Sequence, residues 1–183
     1  MARRRLTGVL LVGGASRRFG SAKALARLAD ETLAERAWRI LGDACDDRIA
    51  VGKTADGLPL PFPVLDDGVD VRAPLAGVVA GLRVARGDVA VFLPVDAPLV
   101  TPALLRELAA ACAEAAVPQT GPLPGAYARS ALPVLERRLA QRDLALRDAV
   151  AELAAVVVTA DPALLVNVNT PQDLLAIQTV AAG

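Results

Sequence analysis

Gly13-Gly14-Ala15-Ser16-Arg17-Arg18-Phe19-Gly20-Ser21-Ala22-Lys23 gathers three cations in a glycine-framed stretch that holds no acid. Glycines allow the tight turns that bring backbone N–H groups to one point, and guanidinium forks and an ammonium beside them suit a polyphosphate. The stretch follows directly on the apolar run Leu6–Val12, so its cations stand where a buried strand would empty into a loop. It is not a Walker A loop: five residues separate Gly14 from Gly20 where that motif has four, and Ser21-Ala22 intervenes before Lys23. It is not the dinucleotide G-x-G-x-x-G either. The structural alternative is an ordinary strand-to-helix turn with solvated arginines, against which stands the density of Gly, Arg and Lys behind a buried strand.

Other candidates lie farther along the chain. Asp96, in Leu93-Pro94-Val95-Asp96-Ala97-Pro98, ends an apolar run between two prolines. A lone carboxylate at a strand's carboxyl end, facing a phosphate loop, is placed to hold Mg²⁺, which takes one or two carboxylates and completes its shell with water and phosphate oxygens. Its structural alternative is an Asx-type turn. Asp66 and Asp67 precede Gly68 and read as a solvated turn or a nucleotide contact. Pro74-Leu75-Ala76-Gly77 opens a helix with small residues, which suits close packing on a sheet or a flat base lying against backbone. In Asn167-Val168-Asn169-Thr170-Pro171, alternate residues of an extended segment share a face, so Asn167 and Asn169 point into one cleft. A helix cap accounts for Thr170 and partly for Asn169, but not for Asn167.

Short apolar runs ending at Gly, Pro or Asp must alternate with helices to position these residues. The runs Leu6–Val12, Arg48–Val51, Val64–Asp66 and Val89–Pro94 read as strands, with late strands at Ala155–Thr159 and Leu164–Val168. Helices are expected at Thr32–Ala44, Pro74–Ala85, Thr101–Ala116, Ala131–Gln141, Leu146–Ala154 and Pro171–Ala181. Thr101-Pro102 and Thr170-Pro171 each place an N-cap before a proline at the first helical position. The alternation predicts an α/β fold with a mostly parallel central sheet and helices on both faces. Ligands of such sheets bind beyond the carboxyl ends of the strands, which puts Gly13–Lys23, Asp66-Asp67 and Asp96 on one edge.

The 183 residues, 54% hydrophobic and 22% charged, suit a single domain with a full core. A formal net charge of 0 provides no global field for a nucleic-acid backbone or an anionic membrane, so neither is an expected partner. Cys45 and Cys112 are far apart and there is no histidine, which removes zinc fingers, dithiol redox motifs and His-based metal sites. Met1–Arg5 ahead of Leu6–Val12 has the charge pattern of a signal peptide's start, but the apolar run stops short at Gly13-Gly14 with no small-residue cleavage site. The expected location is the cytoplasm. Without histidine, acid–base work at neutral pH falls to carboxylates, Lys, Tyr127 or Cys, unless the nucleophile is already ionised.

In this order, L-V-G-G-A-S-R-R-F-G-S-A-K, P-L-A-G, V-D-A-P, P-L-P-G-A-Y at Pro122–Tyr127 and N-V-N-T-P resemble the molybdenum cofactor guanylyltransferase family, the MobA type of nucleotidyltransferase, over almost the whole chain. The resemblance implies a three-layer Rossmann-like nucleotidyltransferase fold and transfer of GMP from GTP to the phosphate of molybdopterin, with Mg²⁺ as cofactor. It implies that Leu11, Val12 and Gly13 follow the nucleotide-contacting L-A-G segment, with Gly14, Gly20, Pro74, Leu75 and Gly77 in the same nucleotide site. Lys23 would be the loop lysine on the triphosphate, Arg17 and Arg18 its arginine partners, and Asp96 the Mg²⁺ ligand. Asp67, or Asp66 under a shifted alignment, matches the nucleotide-contacting aspartate, and Asn167 and Asn169 belong to the pterin side. The implied partners are these two substrates, with transient contact to molybdoenzymes or other cofactor-biosynthesis proteins, the chain itself acting as a monomer or weak oligomer. Departures from the family pattern are Val12 for an alanine, Gly52 for an asparagine, Ala22 for an acid and Ala73 for a glycine. Val12, Gly52 and Ala73 leave open a cytidylyltransferase of the same fold acting on molybdopterin or another phosphorylated acceptor; a non-catalytic nucleotide- or pterin-binding carrier is a separate alternative, against which the retained Lys23 and Asp96 stand. With three Phe, one Trp and one Tyr in the chain, ring recognition rests on backbone and amide hydrogen bonds.

Overall fold

A strand covered on both faces cannot alternate apolar with polar residues, and β1 (Leu6–Leu11) is buried from Thr7 onward. In this computed structural model, which describes residues 5–13 and 22–181, β1 is an interior strand of a seven-stranded sheet, third from one edge. The expectations for Gly14, Arg17, Arg18 and Gly20 fall outside the described residues. A small antiparallel ribbon of β2 (Arg27–Leu28) and β3 (Glu31–Thr32) leads into α1 (Leu33–Ala44). A reciprocal capping box starts α1: Glu35 N donates to Thr32 Oγ1 at 3.1 Å and Thr32 N donates to Glu35 Oε2 at 2.8 Å. Then come β4 (Asp47–Gly52), β5 (Val64–Asp66), α2 (Pro74–Val84), β6 (Val89–Pro94) and α3 (Pro102–Ala111). The chain continues through β7 (Ala115–Pro118), β8 (Gly125–Ala128), α4 (Leu132–Ala140), α5 (Leu146–Ala151), β9 (Ala155–Val158) and α6 (Pro171–Ala181).

The strand order is β5-β4-β1-β6-β8-β7-β9. β5, β4, β1 and β6 run parallel, β8 is antiparallel to both its neighbours, and β9 pairs parallel with β7. The mostly parallel sheet and its helices are those of an α/β fold. Side chains alternate across the strands into two cores. Leu10, Val91 and Leu93 pack with Leu33, Leu41, Leu105, Leu108 and Ile177 of α1, α3 and α6. Val9, Leu11 and Phe92 pack with Leu75, Val78, Leu82, Leu135 and Leu146 of α2, α4 and α5. Every residue of α2 from Leu75 to Leu82 is buried, because the helix lies between the sheet and α4. Gly81 makes that approach possible: a Cβ there would stand 2.7 Å from Phe92 Cε1 and 2.8 Å from Val9 Cγ1.

Besides the β2–β3 ribbon, which the sequence reading lacks, three stretches differ from it. The helix expected over Thr101–Ala116 ends at Ala111, and Ala115-Ala116 opens β7. Alanine favours a helix by propensity alone, but these two residues are fully buried between β8 and β9, and sheet pairing overrides a weak local preference. β8, Gly-Ala-Tyr-Ala, is short and lacks β-branched residues, so no local signal announced it. The strand expected at Leu164–Val168 is a 3₁₀ turn, Pro162–Leu165, followed by an extended segment outside any ladder. Pro162 opens this turn, and the Asp161 side chain caps it by accepting from Ala163 N at 2.9 Å. No helix among the described residues is long and apolar enough to cross a membrane.

Candidate functional site

Four parallel strands end on one edge of the sheet, and the residues that leave them form a cavity of about 1070 Å³. Its lining includes Leu11 at the end of β1 with Val12 and Gly13 beyond it, Gly52 at the end of β4 with Lys53 beyond it, Asp67 beyond β5, and Pro94 at the end of β6 with Val95 and Asp96 beyond it. Ala22, Lys23, Pro74, Gly77, Leu123 and Asn167 also line it. A cleft of this size exceeds the needs of one small ligand and suits a nucleotide with a second substrate.

Lys23 joins the far-apart motifs. It opens a 3₁₀ turn, Lys23–Leu25, and its Nζ donates to Asp96 Oδ2 and to Asn169 Oδ1, each at 3.1 Å. The Lys23 and Asp96 side chains are 15% and 27% exposed, so the pair is reachable from the cleft but shielded from bulk water. The main chain brings the amide segment there: Val168 N donates to Asp96 O at 2.8 Å, and the Val168 side chain is fully buried. Burying Val168 turns its neighbours Asn167 and Asn169 outward, Asn167 into the cavity wall and Asn169 onto Lys23. Thr170 caps α6 as expected, its Oγ1 accepting from Asp173 N at 3.2 Å. Asp173 closes the box by accepting from Asn169 N and Thr170 N at 2.8 Å each, and these bonds hold its carboxyl below the usual range.

The two adjacent acids separate. Asp66 Oδ2 accepts from Thr54 N at 2.9 Å and Thr54 Oγ1 at 2.7 Å, and its Oδ1 accepts from Gly68 N at 2.9 Å. These bonds, the Thr54 N–H foremost, hold the Asp66 carboxyl down at about 2 and make it a turn-forming residue. Asp67 instead lines the cavity, 2.5 Å from Lys53 Nζ.

Leu75, expected at the nucleotide site, is fully buried in the core between α2 and the sheet and does not line the cavity. Helical geometry turns its neighbours Pro74 and Gly77 to the cleft while Leu75 faces inward. At Gly77 a Cβ would stand 2.7 Å from Leu11 Cδ2, so the missing side chain lets α2 approach β1 at the cavity wall. Tyr127 and the cysteines are no acid–base groups here. Tyr127 is fully buried, its hydroxyl donates to Pro122 O at 2.7 Å, and burial pushes the phenol up. Burial and the nearby Asp46 and Asp47 raise the Cys45 thiol to about 12, while Cys112 is buried.

Three charged cavity residues escaped the sequence reading: Lys53, Asp56 and Arg72. Asp56 and Arg72 form a two-pronged pair, with Arg72 Nη2 2.6 Å from Asp56 Oδ1 and Nη1 2.9 Å from Oδ2. Lys53 carried a usable signal, since it directly follows a strand's carboxyl end, the place already searched after β1, β5 and β6. Two departures from the family pattern prove to be one feature. A Cβ on Gly52 would stand 2.6 Å from Val12 Cγ2, so the larger residue at 12 takes the space that a side chain at 52 would need.

Residues 8–164 match the family described as the MobA-like NTP transferase domain. The chain is 34% identical to the probable molybdenum cofactor guanylyltransferase of Chloroflexus aggregans, covering 94% of this chain and 93% of that one. To the probable molybdenum cofactor guanylyltransferase of Bacillus subtilis it is 33% identical, covering 93% of each. Among solved structures, molybdopterin-guanine dinucleotide biosynthesis protein A from Archaeoglobus fulgidus aligns with a TM-score of 0.82 at 26% identity, over 96% of this chain and 98% of that one. A 2-C-methyl-D-erythritol 4-phosphate cytidylyltransferase from Thermus thermophilus shares the fold, with a TM-score of 0.72 at 18% identity over 96% and 98%. The ordered motifs, the cleft that unites them and these likenesses along nearly the full chain lead to one assignment: the chain belongs to the molybdenum cofactor guanylyltransferase family of MobA-like NTP transferases.

Proposed function

We propose that this protein transfers GMP from GTP to the phosphate of molybdopterin, forming the guanine dinucleotide cofactor and releasing pyrophosphate. The observation that carries the reading is the meeting of Lys23, Asp96 and Asn169 at one point in a cleft large enough for both substrates. An oxygen of the acceptor's phosphate monoester attacks the α-phosphorus of GTP, a new P–O bond forms, and the bond from that phosphorus to the bridging oxygen breaks. The attacking oxygen is already anionic at neutral pH, so no general base is needed and a chain without histidine suffices.

The protein's work is then alignment and charge neutralisation. Lys23 holds triphosphate oxygens and stabilises the charge gathering on the departing pyrophosphate. Arg17 and Arg18, from the same glycine-framed stretch, are its partners in this reading. Asp96 lines the cavity beside Lys23, a lone carboxylate of the kind that a phosphate-bound divalent ion takes. Asp96 would hold Mg²⁺, and the ion when bound would supply neutralisation of phosphate charge. In this reading Asn167, which lines the cleft, and Asn169, which accepts from Lys23, serve the pterin side. The test is a pyrophosphate-release assay with molybdopterin, Mg²⁺ and each of the four NTPs, scored also for the dinucleotide product. Turnover with GTP and not CTP is expected. Preference for CTP would make the protein a cytidylyltransferase, and tight GTP binding without product would make it a carrier.

A further inference from the structure

The segment that delivers Asn169 to Lys23 lies outside any ladder, so no strand pairing fixes its backbone. Two ties hold it instead. Val168 N donates to Asp96 O at 2.8 Å, and one residue later the hold passes to Asp173, whose Oδ2 accepts from both Asn169 N and Thr170 N at 2.8 Å each. Asp173 stands on the first turn of α6, and that helix is itself anchored. Ile177 is buried in the core that α1 and α3 share, and Gln178 Nε2 donates to Arg27 O at 3.2 Å, four residues along the chain from Lys23. Between these ties the Asn169 side chain leaves the backbone and accepts from Lys23 Nζ at 3.1 Å. The Asn169 N–H foremost, with the Lys23 charge as a lesser cause, holds the Asp173 carboxyl below its usual range, so the acid is ionised at neutral pH.

We propose that Asp173 is a positioning residue: by holding the Asn169 backbone it aims the amide oxygen at Lys23, and so sets the ammonium where the triphosphate meets it. The proposal rests on the guanylyl-transfer reading above and deepens it with a group that does not line the cleft. A lysine ammonium rides on a flexible four-carbon stem, and freedom that is not removed beforehand must be lost at the moment of reaction. Asp96 and Asn169, from segments far apart in the chain, remove it here. Asp96 is fixed at the end of a buried strand, whereas Asn169 is fixed only as well as its backbone is, and Asp173 supplies that hold. The start of α1 shows the same device without the site. There Glu35 accepts from Thr32 N at 2.8 Å and Thr32 Oγ1 accepts from Glu35 N, and neither residue lines the cleft.

The chain has two lysines, Lys23 and Lys53, so full-length protein carrying isotope-labelled lysine gives two side-chain ammonium signals, told apart by Lys23→Ala. Without nucleotide, Asp173→Ala should speed solvent exchange of the Lys23 ammonium by about 3- to 10-fold, the worth of an ordinary hydrogen bond, and leave that of Lys53 unchanged. Single-turnover dinucleotide formation at saturating GTP should slow by a similar factor. Asp173→Asn keeps an oxygen that can accept both N–H groups, and should bring both readouts to within about twofold of wild type. Glu35→Ala removes the matching bonds from α1, and should lower the melting temperature as Asp173→Ala does while moving neither readout. In a Lys23→Ala background, Asp173→Ala should slow turnover no further. The proposal falls, and guanylyl transfer stands, on any of three results: Asp173→Ala behaving like Glu35→Ala, Asp173→Asn as impaired as Asp173→Ala, or the full loss persisting without Lys23. Wild type that forms no dinucleotide overturns guanylyl transfer itself, and this proposal with it.

Discussion

Replacing Lys23 with alanine should cost turnover far more than stability, and the geometry sets both magnitudes. The Lys23–Asp96 pair is partly solvated, at 15% and 27% exposure, so its loss should cost no more than about 1 kcal/mol of folding free energy. In a chain of 183 residues that lowers the melting temperature by about 2–4 °C. In the transition state the same ammonium meets charge that develops only as pyrophosphate leaves, and one such stabiliser is worth about 100- to 1000-fold in kcat. Asn169→Ala removes one bond to Lys23 Nζ, and should slow turnover by about 10- to 100-fold, by letting the lysine wander. Because Asn169 acts through Lys23 in this account, Lys23→Ala/Asn169→Ala should be no slower than Lys23→Ala alone. The assay is single-turnover formation of the dinucleotide, with melting curves on the same samples. Lys23→Ala retaining near-full activity would remove the lysine from the mechanism. Multiplicative losses in the double variant would show that Asn169 acts independently of the lysine, for instance by touching the acceptor itself.

Gly52→Asn should lower stability by about 1–3 kcal/mol in urea unfolding, since its Cβ would stand 2.6 Å from Val12 Cγ2, and adding Val12→Ala should restore most of the loss. A double variant as unstable as the single would break the link between the two positions. Gly81→Val, which forces atoms against Phe92 and Val9, should lower the unfolding midpoint by a similar or larger free energy while the folded fraction keeps its turnover per molecule. Reduced turnover in fully folded protein would show that the α2 packing reaches the site. Asp66 is held at about 2 when folded against about 3.9 unfolded, so its contribution is complete above pH 4 and is lost as pH falls through 2. The stability gap between wild type and Asp66→Asn should thus be constant from pH 5 to 8 and close below about pH 4. A gap unchanged at about pH 2 would contradict the Thr54 and Gly68 bonds as its source.

What could be read from the sequence was what is decided locally. Helix starts at Thr32, Thr101 and Thr170 were legible because the capping partners lie three residues away: Glu35 N, Leu104 N and Asp173 N. The strands β1 and β6 were legible because burial on both faces leaves unbroken apolar runs. β7 and β8 were not, since Ala-Ala-Val-Pro and Gly-Ala-Tyr-Ala become strands only by pairing with neighbours that chain proximity does not reveal. Likewise Leu75 sits inside a motif that suits a binding site, and its neighbours do line the cleft, yet the rotation of α2 against β1 turns its own side chain into the core.

The same division runs through the site. Residue types and their order along the chain pointed to the candidate groups: a lysine in a glycine-framed stretch, an acid where β6 ends, amides two apart before a capped helix. Which of these meet was a matter of packing. Lys23 stands 73 residues from Asp96 and 146 from Asn169, and their contact exists because β1 and β6 are sheet neighbours while the Val168 N–H ties the amide segment to the Asp96 carbonyl. Asp66 and Asp67 are chemically identical and adjacent, and the turn around Thr54 and Gly68 consumes one and leaves the other in the cleft beside Lys53. Hydrogen-bond partners supplied by distant segments make that choice, and no local pattern in the chain encodes it.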